Sequence, residues 1–285
     1  MSTSAPGTTP HYYVPAPSRH PAFAAFGLFF VIFGAANWIN GQDWAKWLLA
    51  FGLLWLFGVL FQWFRDSIGE SESGQYGRKI DLSFRWSMSW FIFSEVMFFA
   101  AFFGALFYAR QYSVPWLGDL ENKLLWPEFS PQWPTAGPYR PPEFSPIGAW
   151  GIPAINTLLL LSSGVTVTWA HWALKKNDRH NLIFGLFLTI LLGVIFIGLQ
   201  AFEYSHAYSE GLKLSSGVFG STFFMLTGFH GFHVTLGVTM LIVILFRSVA
   251  GHFRPDHHFG FEAVSWYWHF VDVVWLLLFI FVYWI

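Results

Sequence analysis

The chain has 285 residues, of which 55% are hydrophobic, 22% aromatic and only 11% charged, with a formal net charge of −1 and no cysteine. Soluble domains carry about 25% charged residues, so this composition belongs to an integral membrane protein and offers nothing to a nucleic acid. Without cysteine the chain forms no disulfide, iron–sulfur cluster, zinc ribbon, thiolate-bridged copper centre or covalent c-type haem link.

The N-terminal stretch "MSTSAPGTTPHYYVPAPSRHP" has no basic region followed by an apolar core. It reads as a disordered tail, residues 1–20, rather than a signal peptide. A helix needs about 20 apolar residues to cross the hydrocarbon core. Seven stretches meet this: 22–39, 44–64, 80–109, 150–173, 181–206, 217–247 and 260–284. The expected fold is therefore an all-α integral membrane protein of seven transmembrane helices, with 21–285 as a single domain. The first span is short and interrupted by Gly27 and Gly34. A polar, glycine-rich linker, "RDSIGESESGQYGRK", joins the second and third. One long loop, 110–149, separates the third from the fourth. Trp116, Trp126 and Trp133, followed by Trp150, suit an ordered aqueous cap more than a linker. No repeat of fixed period and no inverted halves are visible, which argues against a secondary transporter.

Lysine and arginine set the expected orientation. With the N-terminus cytoplasmic, the inner side holds Arg19, Arg65, Arg78, Lys79, Arg85, Lys175, Lys176, Arg179, Arg247 and Arg254. The outer side holds Lys46, Arg110, Lys123, Arg140 and Lys213. Ten against five follows the positive-inside rule with the C-terminus outside, and an even number of spans would mix the two sets.

Several ionisable residues fall at membrane depth, where an unpartnered polar group is costly and a functional role is the default hypothesis. Glu95 lies near the midplane of the third span, among phenylalanines and with no basic residue within a turn. It is expected to hydrogen-bond a backbone group or a water, as a packing group or as a proton relay. His230 and His233 sit mid-span on the sixth helix, and His269 and Asp272 on the seventh. Glu203 and His206 lie toward the outer end of the fifth. The two i, i+3 pairs each share a helical face, so buried hydrogen-bond networks, a proton path and a haem or copper site all remain open. The network reading pairs Glu203 or Asp272 with an imidazole. In "TGFHGFHV", Gly228 and Gly231 beside the histidines suit close helix contact more than a haem pocket. His252, His257 and His258, with Arg254 and Asp256, lie at the cytoplasmic interface before the last span and read first as solvated loop, with a cluster that buffers protons near neutral pH as the alternative. Trp38, Trp44, Trp47, Trp266, Trp268, Trp275 and Trp284 fit interfacial belts and bundle packing.

The segment "HHFGFEAVSWYWHFVDVVWL" (257–276) resembles the terminal signature of subunit III of the haem–copper oxidases. "STFFMLTGFHGFHVTLG" (221–237), "SSGVTVTWAH" (162–171), "FIFSEVMFF" (91–99), "QWFRD" (62–66) and "GLQAFEYSHA" (198–207) resemble further family segments in family order. The resemblance covers roughly residues 20–285. It implies a seven-helix bundle with helices one and two separated from three to seven by a V-shaped cleft that holds phospholipid. It also implies that this chain carries no redox cofactor or metal, haem and copper residing in partner subunits. Glu203, His230, His233, His269 and Asp272 would then form buried polar networks. Lipid contacts carried over by position fall on Trp63, Arg65, Glu70, Ser71, Arg85, Glu95 and Arg247. Arg65, Arg85 and Arg247 belong at the cytoplasmic interface, where guanidinium groups hold phosphates bidentately. Many members carry a His-Thr-Pro element where this chain has "GQYGRK", so headgroup contacts in that loop do not carry over.

The function so implied is that of a non-redox subunit of a terminal respiratory oxidase that oxidises cytochrome c, reduces oxygen to water and translocates protons. The subunit would bind lipid, stabilise the catalytic subunit 1, sit in one complex with subunit 2 and cytochrome c, and support proton uptake. A quinol oxidase is the alternative, but quinol-type relatives often lack the first two helices. The outer loop, unlike mitochondrial members, points to a bacterial inner membrane.

Overall fold

The computed structural model describes Val14 and residues 16–138 and 144–284. Most of the N-terminal tail, Arg140 of the outer charge set and Ile285 lie outside the described residues. Among those described, seven helical segments are long and apolar enough to cross a membrane. They are α1 (His20–Ile39), α2 (Ala45–Glu72), α3 (Arg78–Tyr108, continued by a π-helical turn and by α4, Val114–Leu117), α6 (Ile152–Lys175), α7 (Arg179–Ser209), α8 (Gly217–Val249) and α9 (Phe259–Leu278, continued to Trp284 in a π-helix). One short helix, α5 (Leu120–Lys123), lies in the long loop between the third and fourth spans. The third span runs eight residues further than its apolar stretch suggests, because the Ala109–Ser113 π-turn carries the helix through Arg110 to Leu117. The loop therefore begins at Gly118 rather than at residue 110.

The described residues form two compact units that divide between Phe84 and Arg85. In the first, α1 packs on α2 through glycine. The buried residues of α1 are Gly27 and Gly34, the two that interrupt the apolar stretch in the sequence. A Cβ at Gly34 would stand 2.6 Å from the Leu49 amide nitrogen, and one at Gly52 2.6 Å from that of Val31. The two backbones touch, as small residues permit when lipid supplies no hydrophobic drive to bring helices together.

In the second unit α6, α7, α8 and α9 share the core, with Trp268 and Trp275 fully buried at its centre. Trp268 occupies a slot made by α7 and α8: Cβ atoms at Gly193 and Gly237 would each lie 2.8 Å from its ring. Its indole donates to Ser163 Oγ at 2.9 Å, and that of Trp275 donates to Thr157 Oγ1 at 2.9 Å. Gly228 and Gly231, expected at a close contact, are not: a Cβ at Gly228 would meet only the Tyr204 hydroxyl, at 3.6 Å, and one at Gly231 nothing within 4 Å. The close approach is one turn and a half further on, at Gly237. α3 meets α8 and α9 through rings instead, Phe98 against Phe229 and Phe99 against Phe270.

The long loop between the third and fourth spans is seated on the start of α8. Trp133 and Phe144 both pack on Phe219, whose amide donates to the Thr135 carbonyl at 3.2 Å. The tryptophans sort by place in the fold: Trp38, Trp44, Trp47 and Trp284 are exposed near helix ends, whereas Trp268 and Trp275 are core.

Candidate functional site

Four groups of polar side chains that include sequence candidates lie within the second unit: one joins α3 to α8, one α7 to the end of the last span, and two α6 to α9.

Glu95 of α3 meets His233 of α8, with Glu95 Oε2 2.8 Å from His233 Nε2. Nδ1 of the same ring lies 2.6 Å from the Phe229 carbonyl. A carbonyl only accepts, so Nδ1 carries a proton. One further proton then bridges Nε2 and the carboxyl, as carboxylic acid with imidazole or as carboxylate with imidazolium. The pair is net neutral in either form, which lowers the cost of its depth. Phe98, Phe99 and Phe232 surround the imidazole. The expected backbone or water partner of Glu95 is thus replaced by a base 138 positions away, beyond the reach of any local window.

Glu203 does not pair with His230 or His233. Its Oε1 accepts from the Tyr283 hydroxyl at 2.7 Å and from Gln200 Nε2 at 3.2 Å. The reason is rotational: Glu203 faces the C-terminal end of the last span, where Tyr283 is buried. His230 is itself buried, donates through Nε2 to the Val271 carbonyl at 3.2 Å and packs its ring on Trp275. This is a packing arrangement, since a backbone carbonyl cannot relay a proton onward.

His269 and Asp272 are neighbours, but His269 Nδ1 and Asp272 Oδ2 are 3.6 Å apart, outside hydrogen-bond range. Thr168 donates its hydroxyl proton to the Gly164 carbonyl, so at 3.2 Å its Oγ1 accepts from His269 Nε2. The buried Asp272 carboxyl lies against Gly164 of α6, where a Cβ would stand 2.5 Å from Oδ2.

The fourth group takes Arg85, a candidate lipid contact, and His258, expected in solvated loop, and packs both against Glu262. His171, one turn before the end of α6, approaches His258 and Glu262 at the start of α9. His171 Nε2 is 3.3 Å from His258 Nε2 and 3.5 Å from Glu262 Oε1, and His258 Nε2 is 3.4 Å from the same oxygen. Arg85 of α3 holds the other oxygen, Oε2, at 2.5 Å. The i, i+4 spacing of His258 and Glu262 is a signal that the sequence carries; His171, 87 positions away from His258, gives none. His257 is exposed and takes no part, whereas His252 is half-buried outside this group.

The remaining candidate lipid contacts fall as follows. Trp63 and Arg65 are exposed near the C-terminal end of α2, Trp63 stacking on His20 at 5.7 Å. Glu70 accepts from the Tyr76 hydroxyl at 2.7 Å, and the Ser71 carbonyl accepts from Gly74. Arg247, in the last turn of α8, lies over Phe253 at 4.6 Å. Arg85 lies over Phe259 at 5.4 Å, so both guanidinium groups stand beside the segment that begins α9. Outside the spans, Asp178 caps α7: it accepts from the Asn181 amide at 3.1 Å and from Asn181 Nδ2 at 2.6 Å. These hydrogen bonds hold its carboxyl below the usual carboxylate range, the backbone one contributing most.

Residues 10–285 match the family model for cytochrome c oxidase subunit III. The chain is 42% identical over 274 residues to cytochrome c oxidase subunit 3 of Formosania lacustris, an alignment covering 96% of each chain. The subunits of Equus caballus and Bos mutus grunniens are also 42% identical over 96% of each chain. A chain with seven helices able to span a membrane, and an aligned match over almost its whole length, belongs to the cytochrome c oxidase subunit III family.

Proposed function

We propose that, as subunit III of its terminal oxidase, this chain acts as a lipid-binding stabiliser of the catalytic subunit 1 and supports proton uptake from the cytoplasmic side. The observation that carries this reading is the gathering of Arg85, Lys175, Arg179 and Arg247 with His252, Arg254, Asp256 and His257 at one set of helix ends, where Arg179 donates to the Ser248 and Phe253 carbonyls. Titratable groups and fixed cations at one membrane face serve to collect protons and to hold anionic headgroups. Trp63, Arg65, Glu70, Ser71, Arg85, Glu95 and Arg247 are the proposed phospholipid contacts. Haem and copper belong to partner subunits, and subunit 2 and cytochrome c share the complex. The proposed setting is a bacterial inner membrane with the N-terminus cytoplasmic and the C-terminus periplasmic.

Purification of the tagged chain in mild detergent tests the assignment: it should bring down a haem-containing catalytic chain and phospholipid. Deleting the chain should leave an oxidase that still reduces oxygen but takes up protons more slowly and inactivates sooner during turnover. An inert complex lacking its cofactors would instead make this chain an assembly factor for the redox centre. Reporter fusions after Ile285 and beside Asp178 should report opposite sides of the membrane; agreement between them would overturn the topology.

A further inference from the structure

We propose that His171, His258 and Glu262 form a zinc site that clamps α6 to the start of α9. Each residue offers one ligand atom, and the three atoms form a nearly equilateral triangle with edges of 3.3, 3.5 and 3.4 Å. A tetrahedral zinc ion with bonds of about 2.0–2.1 Å spaces its ligand atoms about 3.3–3.4 Å apart. The triangle is therefore one face of such a tetrahedron before any side chain moves. Two imidazoles and one carboxylate suit zinc and leave the fourth position to water.

The surroundings prepare the ligands. His258 Nδ1 lies 3.0 Å from the Arg254 carbonyl, which can only accept. The ring therefore carries its proton on Nδ1 and turns the Nε2 lone pair toward the triangle, the tautomer that a metal requires. Arg85 takes Glu262 Oε2, which leaves Oε1 as a monodentate ligand and fixes the carboxylate plane. The three side chains are between 9% and 18% exposed, open enough to admit an ion and buried enough to hold their geometry. His258 and Glu262 also share one helical face by their i, i+4 spacing. The site is distinct from the Glu95–His233 pair, and its role is structural: it adds no redox chemistry.

The test uses the full chain purified in mild detergent, stripped with chelator and titrated with Zn2+ alone. One zinc per chain is expected, with an X-ray absorption spectrum fitting a first shell of nitrogen and oxygen near 2.0 Å with two imidazoles. Thermal unfolding should shift upward with zinc. His171→Gln keeps hydrogen-bonding capacity toward His258 and leaves the Arg85–Glu262 pair in place, and should weaken binding more than about 10-fold. Glu262→Asp keeps the charge opposite Arg85 while withdrawing the ligand oxygen, and should weaken it likewise. Absence of saturable zinc binding by the wild-type chain, a shell lacking imidazole, or wild-type affinity in both variants would each overturn the site. Because the wild-type spectrum reads the ligands directly, a variant that fails to fold does not rescue the proposal.

Discussion

Glu95 on α3 and His233 on α8 share a single proton across 2.8 Å at the depth of the membrane. Replacing Glu95 by glutamine keeps a donor opposite Nε2 and a neutral pair, so the variant oxidase should assemble and turn over like the wild type. Glu95→Ala strands a ring nitrogen among phenylalanines, and an unpaired buried group costs about 1–3 kcal/mol. The same holds for the carboxyl in His233→Ala. The double variant should therefore lose less stability than the two single losses added together, as thermal unfolding of the purified complex can measure. Loss of proton pumping in Glu95→Gln with unchanged haem spectra would make the pair a relay instead.

Tyr283 and Glu203 make the corresponding tie between the last span and α7. Tyr283→Phe removes the 2.7 Å donor and leaves Oε1 with Gln200 alone. We expect destabilisation of about 1–3 kcal/mol, and its relief when Glu203→Gln is added, since the uncharged amide tolerates the missing donor better than a carboxyl group does. Unfolding midpoints of the single and double variants check this. Equal midpoints for wild type and Tyr283→Phe would show that the hydroxyl contributes nothing.

The Asp178 cap gives a pH-dependent contribution of known sign. Its carboxyl is held below the usual range by the Asn181 hydrogen bonds, so the folded state binds its proton less readily than the unfolded chain. The contribution is present in full above the ordinary aspartate value near 3.8 and is lost as pH falls through the depressed folded value. Asp178→Ala should therefore open the turn before α7 to protease at neutral pH. Acidification should narrow the difference between variant and wild type. A gap that widens on acidification contradicts the sign.

The spans are legible in the sequence because hydropathy over some 20 residues integrates a strong signal, and their boundaries differ from the helices mainly where polar turns extend them, as at Arg110–Leu117 and Phe64–Glu72. The partners of the buried polar residues are not legible. Which base meets Glu95 depends on helix rotation and on rings that set α3 against α8, and no spacing within one helix encodes that. His171 shows the same limit: its role is defined by α9, not by its own neighbours. Glycine misleads in both directions, since Gly34 marks a contact rather than an interruption, and Gly231 marks no contact at all.

That reversal at Gly34 gives the most direct test of the α1–α2 unit. Away from its glycines α1 is largely exposed, and its phenylalanines would be as content against lipid as against α2. Close backbone approach is what defines this pairing, and it exists only while Gly34 and Gly52 lack side chains. Gly34→Leu raises the hydropathy of the span, so membrane insertion should be unaffected, yet its Cβ would begin 2.6 Å from the Leu49 nitrogen, an atom that cannot rotate away. The helices must then separate or slide. Because the chain has no native cysteine, a pair introduced at Phe30 and Phe51, whose rings lie 5.4 Å apart, can be crosslinked without background. Crosslinking should proceed in the Gly34 background and fail in Gly34→Leu. Gly58→Leu is the matched control, being on α2 with nothing within 4 Å of the position its Cβ would take, and it should crosslink like the parent. Efficient crosslinking in Gly34→Leu would mean that aromatic contacts, not the glycines, hold α1 and α2 together.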